Sequence, residues 1–139
     1  STFYLLPMSE EQNLMIQEYA KNPLQNFAMK KFTVKQHEGN FICDDIVIYI
    51  VIKDNKIAEY SFDGNCSNIT TAASFLSEFI IGIPIEDILS RNYQTMVDRG
   101  FEVSPRRKRA AVIAIMATRN AIHTYLKDKN DVFDDLIED

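Results

Sequence analysis

The densest apolar stretch of the chain is a block of seven, residues 46–52, in which Ile and Val alternate around Tyr49. Such β-branched and aromatic residues favour a pleated strand. A run with no polar interruption predicts a strand buried on both faces or central in its sheet. Asp54 and Asn55 then supply a turn. Residues 57–62 return as a further strand, with Ala58, Tyr60 and Phe62 predicted on one face. Two strands joined by a short turn form an antiparallel hairpin. Upstream, residues 28–36 set Phe32 and Val34 against Lys31, Thr33 and Lys35, which predicts one more strand ending before His37.

Elsewhere the period is helical. In residues 10–21, Leu14, Met15, Glu18 and Tyr19 recur at helical spacing, with Ser9 as N-cap and Gln12 three residues later. Asn22 before Pro23 stops this helix, because a residue preceding proline avoids the α region. After Gly64, the positions Ile69, Ala72, Ala73, Leu76, Phe79 and Ile80 share one helical face, and Gly82 closes that helix. Pro84 opens a short amphipathic turn through Leu89. Ser104 and Pro105 form an N-cap followed by proline at the first helical position. The helix they start should reach about Lys127, and its stretch 110–117, apolar all round, should be buried at the centre. Segregated strands and helices predict an α+β fold: a small three-stranded antiparallel sheet with helices on one face, an N-terminal helix and a long C-terminal helix.

Length and charge narrow the picture. A chain of 139 residues favours one domain, long enough to bury a real core. No stretch reaches the roughly 18 apolar residues of a membrane span. Residues 1–7 are apolar but short, with no basic stretch ahead of them, and do not resemble a signal peptide, so the expected compartment is the cytoplasm. The net charge of −5 resides in residues 128–139, where six acids outnumber the single base Lys129. A neutral body with an acidic tail argues against nucleic-acid binding. Val132, Phe133, Leu136 and Ile137 leave two outcomes open for the tail: docking as a last amphipathic turn, or mobility.

The candidate chemistry lies in the two cysteines, Cys43 and Cys66. A reducing compartment disfavours a structural disulfide, and a pair of buried, inert thiols is the ordinary alternative. Cys43 precedes one hairpin strand and Cys66 follows the other, so strand pairing brings both to the same end of the sheet. Asp44 and Asp45 disfavour a free Cys43 thiolate by like-charge repulsion. A bound cation reverses that sign, deprotonating the thiol while the carboxylates neutralise it. Cys43, Asp45 and Cys66 are therefore a sensible donor set for zinc or ferrous iron, and Cys66 also gains from its place at a helix N-terminus. His37, in the loop expected before Cys43, is a further candidate donor, while His123 reads as a surface or packing residue of the long helix. Arg106, Arg107, Lys108 and Arg109 crowd cations into a first helical turn, where the helix dipole favours anions. That local conflict marks either a solvated turn paired with acids such as Glu86 or Asp87, or a patch for an acidic partner. No phosphate-cradling glycine loop, H-E-x-x-H or G-x-S-x-G motif occurs, so no standard enzyme constellation is present.

These residues resemble the iron–sulfur scaffold proteins IscU and SufU, the NifU N-terminal domain family, from about Leu14 to Leu126. The helix ending in Glu18, Tyr19, Ala20, Lys21, Asn22 and Pro23 is similar to the family's opening helix. Cys43, Asp44 and Asp45 resemble its Cys-Gly-Asp. Asp63, Gly64, Asn65, Cys66, Ser67, Asn68 and Ile69, with Ala73 and Ser74 beyond, resemble its second cysteine motif, and Ser104 to Arg107 the Pro-x-Arg approach to a third cysteine. The resemblance implies an iron–sulfur cluster assembly scaffold or sulfur acceptor in residues 1–127, followed by the acidic tail. It implies Cys43 as persulfide acceptor and Cys43, Asp45 and Cys66 as ligands of zinc, iron or a transient two-iron cluster. It implies as partners a cysteine desulfurase, with the basic turn 106–109 for docking, and apo iron–sulfur proteins that receive the product. Such a protein would be no enzyme in the strict sense. Two departures stand out: Ala110 occupies the third cysteine's place, and Asp44 replaces the glycine. They leave a second expectation open, an interaction or regulatory module without a cluster, and a third, a plain zinc-binding domain.

Overall fold

We describe a computed structural model of the chain, covering Ile16, residues 25–39 and residues 45–137, with the Arg106 side chain excepted. The predicted first helix and Cys43 and Asp44 therefore lie outside the described residues; only Ile16 of that helix is seen, helical and buried.

Three antiparallel strands form the sheet in the order β1 (Val34–Glu38), β2 (Ile46–Lys53), β3 (Lys56–Gly64). The apolar block is the central strand, as its composition demands. Asp54 and Asn55, at φ 53° and 63°, make the left-handed turn between β2 and β3, a conformation these two residue types tolerate. Register slips at Val51 and Ile52, so Ile52 pairs with Ile57 while Val51 pairs with Glu59. This bulge corrects the predicted face of β3: Ile57, not Ala58, joins Tyr60 and Phe62 in the core. β1 also starts later and runs further than its alternation suggested, because β2 offers pairing partners as far as Ile46, opposite Glu38. Gly39, at φ 94°, ends it.

Helices follow as α1 (Ser67–Ile80), α2 (Ile85–Ile88), α3 (Tyr93–Asp98), α4 (Pro105–Leu126) and α5 (Phe133–Ile137). α1 packs on β3 and α4 on β1 and β2, and the two helices pack together. They cover a face on which Ile46, Ile48, Ile50 and Phe62 have no exposed surface. Every residue from Ala110 to Ala117 is buried, so the all-apolar stretch is the central helix. Gly82 leaves α1 at φ +86° and its N–H donates to the Ile57 carbonyl, tying the helix end to the start of β3. The helix α3 was not foreshadowed by apolar periodicity. It rests on a capping box in which the Asn92 side chain accepts from the Thr95 N–H and the Thr95 hydroxyl accepts from the Asn92 N–H.

The tail docks. After Lys127, in the left-handed conformation that ends α4, the chain turns back along that helix and buries Leu136. Asp131 holds it there. Its carboxylate accepts from Arg119 Nε at 2.9 Å and lies 3.1 Å from His123 Nε2, and its N–H donates to Asn120 Oδ1 at 2.7 Å. Asp128 meets the other His123 nitrogen at 2.6 Å. Asn120 donates in turn to Glu38 at 2.8 Å and Thr124 to Gln36 at 2.7 Å, so one polar seam joins tail, α4 and β1.

Candidate metal and sulfur site

The end of the hairpin opposite its turn is where chemistry collects. Ile46 pairs with Gly64, and beyond that pair the Asn65 N–H donates to the Asp45 carbonyl while the Asp45 N–H donates to the Asn65 side chain, both at 3.3 Å. Asp45 and the residue before Cys66 are thus held against each other. Cys66 is the N-cap of α1, half-buried, and its carbonyl accepts from the Thr70 N–H and hydroxyl at 3.1 Å each. It sits at the positive end of the helix dipole.

Gly64 permits this closeness. A Cβ there would lie 2.6 Å from Thr70 Cγ2 and 3.7 Å from the Asp45 carbonyl oxygen. Only a residue without a side chain lets the first turn of α1 close on the sheet end.

Cys66 is disulfide-bonded, contrary to the expectation of free thiols; Cys43, the chain's one other cysteine, lies outside the described residues. Among the described residues no three His, Cys, Asp or Glu side chains form a ready metal group. Two do meet: His37 Nε2 contacts Asp45 Oδ1. The sequence put His37 in a loop, but it lies on β1, opposite Val47 in the pairing register. Alternation then sets His37 and Asp45 on the same outward face, as diagonal cross-strand neighbours within reach of each other. Only the pairing register reveals that contact.

The basic turn is partly engaged. Lys108 Nζ lies 5.0 Å from the Tyr93 ring centroid, and the Arg109 guanidinium lies 4.5 Å from that of Phe133 on the docked tail. Arg107 is exposed. Glu86 accepts instead from Asn55 at 3.0 Å. Tyr93 also fixes the approach to α4: its hydroxyl accepts from the Val103 N–H at 3.1 Å. Burial raises its pKa, an effect that this hydrogen bonding to Val103 partly offsets. Ala110 is buried in the apolar core early in α4. It supplies no donor.

A three-stranded sheet with helices on one face, a sulfur residue at the start of its first long helix and a carboxylate opposite define a compact α+β domain built around one sheet end. Residues 11–132 match the family of the NifU-like N terminal domain, and the chain belongs to that family. Among solved structures it is similar to a nitrogen-fixing NifU-like protein (N-terminal) from Brucella abortus, at 12% identity and TM-score 0.63, over 83% of this chain and 94% of that one. It is also similar to a protein named as an iron–sulfur cluster assembly scaffold for the SUF system from Fervidobacterium islandicum, at 17% identity and TM-score 0.64, over 82% and 95%. A structure of a protein described only as hypothetical matches at 19% identity and TM-score 0.65, over 81% of this chain and 96% of that one. At these identities the solved structures speak to the fold. A search of curated proteins gave no significant match. Among the described residues no helix is long and apolar enough to cross a membrane.

Proposed function

We propose that this chain is an iron–sulfur cluster assembly scaffold or sulfur acceptor that works with a cysteine desulfurase, and that it is not itself an enzyme. The observation that carries the reading is the hairpin end that holds Asp45 beside the segment leading to Cys66, in a chain of the NifU-like family. The donors suit the cargo. Thiolate sulfur and carboxylate oxygen are both ligands of zinc and ferrous iron.

In this reading the Cys43 thiolate attacks the outer sulfur of a desulfurase persulfide. The donor's S–S bond breaks, its electron pair leaves on the desulfurase thiolate, and Cys43 carries the sulfur as a new persulfide. Asp45 and Cys66 hold the metal and, with Cys43, the nascent cluster. The exposed Arg107, with its neighbours Arg106, Lys108 and Arg109, offers a positive edge to an acidic partner surface. Apo iron–sulfur proteins would take the product, and the cytoplasm is the compartment that suits these thiols.

Metal analysis of the reduced chain, paired with a desulfurase assay, tests this. The expected result is one equivalent of zinc or iron and faster sulfide release, with Cys43→Ser ending sulfur acceptance and Asp45→Ala weakening metal retention. Wild-type behaviour from both variants would refute the assigned site. The buried Ala110 favours one other reading, an interaction module that binds a desulfurase without a metal. A stable complex with no metal bound would support it.

A further inference from the structure

We infer that the C-terminal segment 128–137 is a proton-dependent strap, docked on α4 while His123 carries a proton on both ring nitrogens and released as the ring loses one. The carrying observation is that each nitrogen of this one imidazole faces a carboxylate of the tail. Nδ1 lies 2.6 Å from Asp128 and Nε2 lies 3.1 Å from Asp131.

An ionised carboxylate only accepts hydrogen bonds, and a neutral imidazole has one N–H to give. Satisfying Asp128 and Asp131 together therefore takes imidazolium, which donates from both nitrogens. A neutral ring sets its lone pair against one of the two carboxylates. Water offers little relief, because the His123 and Asp131 side chains are only 14% and 20% exposed. The lost bond is then close to a buried one, whose partners are costly to leave unpaired.

The surroundings favour the positive ring. His123 stands in the last turn of α4, where the helix dipole stabilises a cation. The tail sets Asp128 and Asp131 around it, and β1 sets Glu38 behind Asn120. Against these, α4 supplies one cation, Arg119, which already shares the Asp131 carboxylate at 2.9 Å. Lys127 and Lys129, beside Asp128 in the chain, are exposed. The seam thus holds three carboxylates against one guanidinium, and a second cation brings it closer to balance. Proton binding and docking therefore favour each other. Docking is at full strength below the ordinary histidine value of about 6.5 and weakens as pH rises through and beyond it. Release uncovers Leu136, which is 5% exposed when docked, and lifts Phe133 from the Arg109 guanidinium 4.5 Å away.

The full chain is titrated from about pH 5.5 to 9, a span within which histidine ordinarily changes charge. Ring nitrogen magnetic resonance shifts follow the His123 proton. The chain has two histidines, and His37→Gln assigns the two sets of ring signals. Hydrogen exchange of residues 128–137, corrected for the intrinsic effect of pH on exchange, follows docking, while the amides of β2 report that the fold is intact. The expected result is a fall in tail protection of about tenfold or more, the worth of one hydrogen bond to a charged group, in step with the loss of the His123 proton. Asp128→Asn separates the proton from the contact. Its amide donates to a neutral Nδ1, so this variant should keep its tail protected across the span with no step. Level protection in the wild type would overturn the strap. So would an Asp128→Asn chain that keeps the wild-type step, or a tail unprotected at every pH.

Discussion

Replacing Gly64 with alanine should loosen the seat of α1 and with it the position of Cys66. The new Cβ would stand 2.6 Å from Thr70 Cγ2, where carbon–carbon contacts relax near 3.5–4.0 Å, so about 1 Å of movement is required. Thr70 is buried and its hydroxyl donates to the Cys66 carbonyl, so its methyl cannot swing away without breaking that bond. Overpacking of this kind costs about 1–3 kcal/mol. Restricting the unfolded chain returns about 0.4–1 kcal/mol. The net expectation is a loss of about 1–2 kcal/mol, read as a lower urea midpoint at unchanged slope. The partner variant isolates the cause. Thr70→Ser removes the offending methyl and keeps the hydroxyl, losing by itself about 0.8 kcal/mol for the deleted group. The double variant should therefore be more stable than the sum of the two single losses predicts, with a coupling of at least about 0.5 kcal/mol. Strict additivity would refute the claim that this one contact reserves the position for glycine.

Other consequences are read separately. Asp131→Ala strips the acceptor from Arg119 and His123, whose side chains are 15% and 14% exposed. It should cost about 1–3 kcal/mol and expose residues 128–137 to hydrogen exchange; unchanged protection would show that the tail docks without this carboxylate. Tyr60 is fully buried with its hydroxyl 2.9 Å from Thr118, and burial pushes its pKa far above the ordinary tyrosine value. The unfolded chain then loses this proton first, so stability is intact below pH about 10 and falls as pH rises beyond it. Tyr60→Phe should flatten that decline in alkaline urea titrations. Ala110→Cys should raise zinc affinity by roughly tenfold or more if α4 still presents that position to the site; unchanged affinity would mean it does not.

How much of this could be read from the chain depends on whether the cause was local. The seven-residue apolar block, the Asp54 and Asn55 turn, the glycine exit at Gly82 and the all-apolar centre of α4 each carry their own signal, and each lies where that signal put it. β1 was displaced because a strand's limits are set by its neighbour, and the bulge at Ala58 because one extra residue inverts the faces of everything beyond it. The helix α3 begins with Asn92 and Thr95 in place of the usual acidic box residue, a weaker cue. The convergence of Asp45 on the Cys66 segment followed from hairpin topology. The His37 contact did not, since it needs the register between two strands. Nor did the seam at Asp131, which exists only because the tail folds back on residues of α4 that precede it by about three helical turns.

The central claim is that Cys43 receives sulfur at a sheet end furnished with Cys66 and Asp45. Peptide mass mapping of the reduced chain after incubation with a cysteine desulfurase and free cysteine tests it most directly. The account predicts a persulfide on the peptide containing Cys43 and none there in Cys43→Ser. An active desulfurase that leaves both cysteine peptides free of added sulfur would contradict it.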